Sequence, residues 1–212
     1  MANSLGSVLS PSRSREEVSR LNRDGGETLR AEEDALVQRA IAGDRAAWRA
    51  LYLEHSDFVF RVAARFLGDE AEARDVAQDV FVQVFTRVSA YRSAGRFRTY
   101  LYRVAANRCL NERARAREKR RSREPGGDAE TLAAIPDSAG SPEERLALAQ
   151  EAEAVRAAVA RLPERQRLAV ILSRFEGLSY EEIAAALESS VSSVESLLFR
   201  ARQALARDLG AV

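Results

Sequence analysis

The sequence is poor in the residues that most often build enzymatic and metal sites. Its 212 residues include one cysteine, Cys109, and one histidine, His55. A single thiol excludes intramolecular disulfides. One cysteine and one histidine are also too few for a Cys/His zinc site, and a single histidine excludes most histidine-dependent catalysis. The sequence also has no glycine-rich phosphate-binding loop. We therefore expect no catalytic residue, no metal site and no cofactor.

Long apolar runs are missing too. No stretch reaches the about 18 to 20 uncharged apolar residues that a membrane-spanning helix needs, and the first thirty residues have no apolar signal-peptide core. The composition, 46% hydrophobic and 31% charged, is ordinary for a folded soluble protein. These features predict a globular, cytoplasmic protein without membrane insertion.

The spacing of apolar residues divides the chain into four segments. Residues 1–33 lack an apolar stripe and are predicted to form a mobile N-terminal tail. Residues 34–121 have apolar residues at helical spacing, with breaks at Gly43, at Gly68 and near residue 94. Residues 122–145 are dense in proline and glycine and are predicted to be a linker. Residues 146–212 contain four further helical patterns.

The predicted fold class is therefore all-α, with two small helical domains joined by a flexible linker. Helices are expected to start near residue 69 and at Phe97 in the first domain. In the second unit they are expected near 143–161, 164–176, 180–187 and 191–208. No segment shows the alternation of a strand.

A net charge of +1 hides a strongly basic segment. Residues 90–121 contain eleven Lys and Arg against two Glu, which gives +9, whereas residues 34–89 carry −2. Tyr91, Phe97, Tyr100 and Tyr102 are interleaved with the cations. Guanidinium groups neutralise phosphates and exposed rings stack on unpaired bases, so the segment favours single-stranded or locally melted nucleic acid. The alternative is that the aromatics are core and the arginines form a solvated face.

The C-terminal segment contains a helix-turn-helix pattern. Ser179 followed by Glu182 is a capping box that starts a short helix through Leu187. A second helix, from Val191, has its apolar face at Val194 and Leu198. The alternative to a DNA-binding motif is a plain helical hairpin. In the DNA-binding motif the start of the second helix enters the major groove. This nominates Ser190, Ser192, Ser193, Glu195 and Ser196 for contacts with bases or phosphates, and Arg200 and Arg202 for contacts with the DNA backbone.

Three ordered blocks resemble the extracytoplasmic-function (ECF) subfamily of sigma-70 RNA polymerase sigma factors. They are ARDVAQDVF at residues 73–81, FRTYLYRVAAN at residues 97–107, and LPERQR at residues 162–167 running into residues 178–202. The similarity extends over nearly all of residues 34–209. It implies a sigma-two domain at 34–121 and a sigma-four domain at 146–212.

The resemblance also implies site residues. Asp75 and Asp79, one helical turn apart, could suggest a metal or acid/base pair, but they correspond to a surface that docks on core polymerase. This core-binding set is Asp75, Gln78, Asp79, Val82 and Gln83. The segment that reads and melts the minus-ten promoter element would use Tyr91, Arg92, Arg96, Phe97, Arg98, Thr99, Tyr100, Arg103 and Asn107. The second helix of the helix-turn-helix would read the minus-thirty-five element.

Two departures from the family pattern bear on specificity. Tyr100 stands where the family often has Trp, and it should still stack. Glu195 and Leu197 replace residues that are often cationic, which removes up to two phosphate or base contacts and adds an acceptor suited to a cytosine amino group. The preferred upstream element should therefore differ from that of relatives with a lysine.

The expected partners are core RNA polymerase, promoter DNA and, by analogy, an anti-sigma factor, with no stable homo-oligomer. The sequence leaves two other functions open. A stand-alone helix-turn-helix regulator would need a dimer interface and a sensor domain in residues 34–121. A polymerase adaptor that does not read DNA would leave Arg200, Arg202 and the +9 segment unexplained.

Overall fold

The computed structural model describes residues 31–87, 97–121 and 142–210. Within these ranges the regular elements are all helical, in agreement with the predicted class. Residues 31–41 form helix α1. The other helices are α2 Arg45–Leu67, α3 Glu70–Arg87, α4 Phe97–Arg121, α5 Pro142–Arg161, α6 Glu164–Val170, α7 Tyr180–Ala186 and α8 Val191–Asp208. None of the described helices is long and apolar enough to cross a membrane.

Two predicted segment boundaries differ from the helices. Residues 31–33, which the sequence places in the tail, are helical, and residues 142–145, placed in the linker, are the first turn of α5. Pro142 can begin a helix because the first helical position needs no hydrogen-bonding N–H. The remainder of the predicted tail and linker lies outside the described residues.

Glycines end α1 and α2 as the pattern predicts. Gly43 and Gly68 have φ values of 92° and 79°, a left-handed conformation that costs glycine little. Asp44 then begins α2, where its carboxylate accepts hydrogen bonds from the N–H groups of Ala46 and Ala47. Arg39 donates to the same carboxylate, and these bonds hold the pKa of Asp44 below its usual value.

Helices α1 to α4 form what we call the N-terminal domain. α2, α3 and α4 pack against one another through buried apolar faces that include Leu51, Val62, Val80 and Leu101. His55 is also buried, and its Nε2 lies 3.1 Å from the Glu33 carboxylate, which ties α1 to α2. Cys109 is buried in this core, and burial raises the pKa of its thiol to about 12. The thiol is therefore un-ionised and unreactive near neutral pH.

Helices α5 to α8 form the C-terminal domain. The predicted helix over 164–176 is interrupted, because α6 passes at Ile171 into a π-helical turn, Ile171–Phe175. The N–H of Glu176 donates to the carbonyl of Ile171 at 3.3 Å, five residues back. Such wide turns have no periodicity signature in sequence, and they occur often at functional sites.

The two domains pack against each other. Phe66, at the end of α2, is fully buried, and its carbonyl accepts a 2.9 Å hydrogen bond from Nη1 of Arg167 in α6. The Arg167 guanidinium lies 5.5 Å from the Phe66 ring centroid, a cation–π distance. Burial lowers the pKa of Arg167 to about 10, so it remains charged at neutral pH. Buried residues of both domains thus form one apolar cluster.

Candidate nucleic-acid interface

One face of α4 carries a stripe of aromatic, cationic and amide side chains. Tyr100, Arg103 and Asn107 are three and four residues apart, so they follow one another along the same side of the helix. The Arg103 guanidinium lies 5.2 Å from the Tyr100 ring centroid. Asn107 is exposed, and the other two are partly exposed. We call these three residues the α4 stripe.

Phe97, another predicted minus-ten residue, is not part of this exposed stripe. Phe97 is only 1% exposed and packs near the rings of His55 and Tyr100. Its side chain supports the stripe from the core, which corrects the prediction that it contacts a base. Thr99 is partly exposed. Tyr91, Arg92 and Arg96 lie outside the described residues.

Arg98 points to a different set of partners. Its Nη2 donates to the Tyr102 hydroxyl at 3.0 Å, and its guanidinium lies 5.2 Å from the Phe58 ring centroid. Burial raises the pKa of Tyr102, so the hydroxyl keeps its proton at neutral pH. Tyr102 is buried. Its ring is therefore part of the core and is not exposed for stacking on a base.

The predicted core-binding residues lie together on α3. Asp75, Gln78, Asp79 and Val82 are exposed, and Gln83 is partly exposed. Their spacing of three and four residues places them on one face, opposite the buried face with Val76, Val80 and Val84. The Asp79 carboxylate is paired with Arg108 of α4. This ion pair connects the α3 face with the helix that carries the stripe.

The helix-turn-helix forms as the capping pattern predicts. Ser179 and Glu182 make the complete capping box at the start of α7. Ser190 caps α8 by accepting from the N–H of Ser193 at 3.2 Å. Val194 and Leu198 are buried, and Ala201 joins them. The exposed side chains of α8 include the remaining nominated residues Ser192, Ser193, Glu195, Ser196, Arg200 and Arg202.

Sequence reasoning missed two carboxylates that join the domains. The Glu176 side chain is 1% exposed and accepts from Arg61 at 3.2 Å and Arg65 at 3.0 Å. Glu188, in the turn before α8, lies 3.5 Å from Nδ2 of Asn107 and 3.9 Å from Nη1 of Arg103. The sequence offered only a weak signal for each: Glu176 precedes Gly177, a helix-ending glycine, and Glu188 lies in the predicted turn.

Among the described residues, one group has donors suited to a metal ion. The carboxylates of Glu33 and Glu54 and the ring of His55 offer ligand atoms within 4.8 Å of one another. Glu54 is exposed, and the Glu33–His55 contact already has the role of joining α1 to α2. The Asp75 and Asp79 pair is not part of such a group in the described chain.

Two family descriptions match the chain in the order of its domains. Sigma-70 region 2 matches residues 51–120, and Sigma-70 region 4 matches residues 152–205. The first range covers most of α2 and all of α3 and nearly all of α4. The second covers the latter half of α5, all of α6 and α7, and α8 as far as residue 205.

Two relatives are similar over most of the chain. The chain is 38% identical to the RNA polymerase sigma-H factor of Pseudomonas aeruginosa over 183 residues, covering 84% of this chain and 94% of that protein. It is 32% identical to the ECF RNA polymerase sigma-E factor of Escherichia coli over 181 residues, covering 82% and 92% of the two proteins.

Solved structures show the same arrangement of helices. CnrH in complex with the cytosolic domain of CnrY is 26% identical, with a TM-score of 0.60 over 84% of this chain and 97% of that one. The sigma factor RpoE of Bartonella quintana, in complex with the anti-sigma factor NepR, also has a TM-score of 0.60. At 23% identity over 77% of this chain and 96% of that one, it supports the fold alone.

Proposed function

The chain belongs to the ECF subfamily of the sigma-70 family of RNA polymerase sigma factors, and from that premise we propose how its surfaces divide the work of initiation. As a member of this family it is a transcription-initiation factor and not an enzyme. We assign core-polymerase binding to the exposed face of α3, minus-ten recognition to α4, and minus-thirty-five recognition to α8. Its place of action is the bacterial cytoplasm, where polymerase and DNA are.

The α4 stripe is the observation that carries the minus-ten assignment. It combines a ring, a guanidinium and an amide on one face of a helix whose later turns are rich in arginine. A ring can hold an unpaired base, a guanidinium can neutralise phosphate, and an amide can hydrogen-bond to a base edge. Stacking at about 1 to 3 kcal/mol per base offsets part of the cost of unpairing, which is a few kcal/mol. No nucleotide hydrolysis is needed.

The α3 face suits a protein partner better than DNA. It presents Asp75 and Asp79 beside Gln78 and the exposed apolar Val82, and carboxylates repel phosphates.

Tyr91, Arg92, Arg96 and Thr99 remain members of the proposed minus-ten set. We assign Arg98 and Phe97 a supporting part.

In α8, the exposed serines and Glu195 precede Arg200 and Arg202, an order that suits a recognition helix. Residues at the start of such a helix contact base edges, and cations further along contact phosphates. The Ser190 and Ser193 hydroxyls lie 3.0 Å apart and stabilise the helix start. The Nε of Arg202 donates to the Leu198 carbonyl at 3.3 Å, so Arg200 is the freer of the two arginines to reach a phosphate.

We also propose an anti-sigma protein as the regulator. CnrH, which resembles this chain, is held in a complex with the cytosolic domain of another protein. A groove of about 850 Å³ runs between the two domains, lined by Phe66, Val155, Ile171 and Phe175 among others. Val155 and Phe175 are exposed in it. An apolar groove of this kind suits an amphipathic helix.

Reconstituted transcription tests the proposed function. The purified chain and bacterial core polymerase are incubated with a library of promoter fragments, and the run-off products are sequenced. We expect initiation at a defined set of promoters only when the chain is added. Core binding without initiation would support the adaptor reading instead. Duplex DNA binding without core binding would support a stand-alone regulator.

Glu195→Lys is expected to change which upstream element is preferred. The substitution removes an acceptor for a cytosine amino group and adds a cation, and a good base contact is worth about 1 to 3 kcal/mol of discrimination. The same transcription library should therefore show promoter preferences shifted by roughly 5- to 150-fold at one upstream position. Arg200→Ala is the matched comparison: it should weaken all promoters alike. An unchanged profile for Glu195→Lys would remove Glu195 from the reading set.

A further inference from the structure

A buried histidine and two glutamates meet where α1 packs on α2. His55 of α2 is 4% exposed, and the side chain of Glu33 in α1 is 14% exposed. Glu54, the residue before His55, is exposed to solvent. One ligand atom from each of the three residues lies within 4.8 Å of the other two. We call these three residues the α1–α2 cluster.

The ring nitrogen of His55 that faces Glu33 has no hydrogen-bond partner in the described chain. Its Nε2 lies 3.1 Å from a Glu33 carboxylate oxygen, but the two atoms are not aligned as donor and acceptor, so no hydrogen bond forms. A buried polar atom without a partner is rare and indicates an additional group, such as a water or an ion. The nitrogen is therefore available as a ligand, and it lies inside the cluster.

The separation of these two atoms suits ligands of one tetrahedral ion. Zinc bonds of about 2.0 to 2.2 Å to nitrogen and oxygen, at about 109° to each other, place the two ligand atoms about 3.3 to 3.5 Å apart. The 3.1 Å between His55 Nε2 and the Glu33 oxygen is close to that range. The Glu54 carboxylate ends a long, exposed side chain, so it can reach the same ion by changing its rotamer.

The charges of the cluster favour a cation. Glu33 and Glu54 bring two carboxylates together, and neither forms an ion pair with an arginine or a lysine in the part of the chain that the structure describes. Two carboxylates at short distance repel each other, and a divalent cation between them replaces that repulsion with attraction to both. The cluster therefore offers ligand atoms and a charge that an ion would complement.

Aromatic neighbours hold the His55 ring in place. The ring centroids of Phe58 and Phe97 lie 5.6 Å and 5.5 Å from the imidazole centroid. Packing against two rings restricts rotation of the imidazole, which lowers the entropy cost of binding an ion. Phe97 is also the first residue of α4. An ion in the cluster would therefore join α1 to α2 beside the first turn of α4.

We propose that the α1–α2 cluster binds a divalent transition-metal ion of the zinc class, with His55 Nε2 and the carboxylates of Glu33 and Glu54 as its protein ligands. An imidazole ligand favours zinc over Mg²⁺ and Ca²⁺, which prefer oxygen ligands. Because Glu54 is exposed, water can take the fourth position. The scarcity of cysteine and histidine in the sequence argues against Cys/His zinc sites, but it does not restrict a site whose other ligands are carboxylates.

Titration of the untagged full chain with zinc tests the site. The chain is first treated with a chelator, and zinc chloride is then added while the imidazole signals are followed by long-range ¹H–¹⁵N NMR. Because His55 is the only histidine, its ring signals need no further assignment. Cys109 does not compete, since its buried thiol is un-ionised. We expect the Nε2 signal of the parent chain to shift and to saturate at one zinc per chain, and Mg²⁺ at the same concentration to leave it unchanged.

Glu54→Gln is the most informative variant. The residue is exposed, so the substitution should leave the fold intact, and a simple ion pair between Glu33 and His55 does not need it. We expect Glu54→Gln and Glu33→Gln each to weaken zinc binding at least ten-fold, because even groups that only orient a metal ligand usually contribute 10- to 100-fold to affinity. Glu32→Gln is the matched control: it makes the same change at the exposed neighbouring glutamate of α1 and should bind zinc like the parent chain.

Thermal unfolding gives a second readout. Zinc at about 100 times its dissociation constant should raise the Tm of the parent chain and of Glu32→Gln by roughly 5 to 11 °C, because the ion binds the folded chain and not the unfolded one. At the same zinc concentration the Tm of Glu33→Gln and of Glu54→Gln should rise about half as much or less, as a ten-fold loss of affinity requires.

Three results would overturn the metal site. One is an imidazole signal of the parent chain that does not move with zinc. Another is zinc binding by Glu33→Gln and Glu54→Gln as tight as that of Glu32→Gln, because the ion would then be held elsewhere. The third is an equal response to Mg²⁺. None of these results bears on the sigma-factor assignment, since the cluster contains no residue assigned to polymerase or DNA, and reconstituted transcription tests that assignment separately.

Discussion

Tyr100→Ala should slow open-complex formation by roughly 5- to 150-fold while leaving core-polymerase affinity unchanged. The range follows from about 1 to 3 kcal/mol for one base–ring stack, with 1.4 kcal/mol for each factor of ten. Tyr100 is partly exposed, with Arg103 over its ring and Phe97 beside it. The ring is therefore held in place before DNA arrives, and its loss affects the melted strand and not the α3 face.

Permanganate footprinting of the transcription bubble, followed over time, measures this effect. Tyr100→Trp should retain activity because an indole offers a larger stacking face. Tyr180→Ala removes an exposed tyrosine from the C-terminal domain and provides the control for loss of a ring elsewhere. Footprints that do not change in Tyr100→Ala would show that the ring does not lie against the melted strand.

Phe66→Ala should lower the free energy of unfolding by about 3 to 5 kcal/mol. Its side chain is fully buried at the end of α2, with the Arg167 guanidinium over the ring. Removing the ring leaves a cavity beside a buried cation, and the cation loses one of its favourable contacts. Because small proteins are stable by only about 5 to 15 kcal/mol, the variant should be close to unfolding at physiological temperature.

Urea denaturation followed by circular dichroism measures the loss as a shift of the midpoint. Leu53→Ala is the matched control, since Leu53 belongs to the same helix but is 63% exposed. It should change the free energy of unfolding by less than about 0.5 kcal/mol. Equal midpoints for the two variants would show that the Phe66 ring is not buried in the shared core.

The most strongly periodic elements were predicted well. The helix expected from about residue 69 runs from Glu70 to Arg87, and the capping box at Ser179 starts α7 as its pattern requires. These features depend on neighbours within about one helical turn, so the sequence contains the whole signal. The predicted core-binding residues share one face of α3 for the same reason.

The predictions that were wrong concern features that depend on burial or on contacts between distant parts of the chain. Phe97 was predicted to contact DNA but fills the core, because a ring in a basic helix has the same local pattern in either role. The π-helical turn at Ile171–Phe175 was predicted as ordinary helix. The predicted boundary at residue 33 falls within α1, because helix boundaries depend on packing as well as on composition.

The sequence by itself determined the helical class, the family, and the three surfaces proposed to meet polymerase and the two promoter elements. Helical periodicity and ordered motifs are local properties of the chain. Only the tertiary structure decided that Glu176 meets Arg65, 111 residues away in the chain, and that Glu188 meets Asn107, 81 residues away. In the sequence each of these is an ordinary glutamate. Glu176 acquires its role because folding removes its carboxylate from water and leaves it dependent on arginines of the other domain.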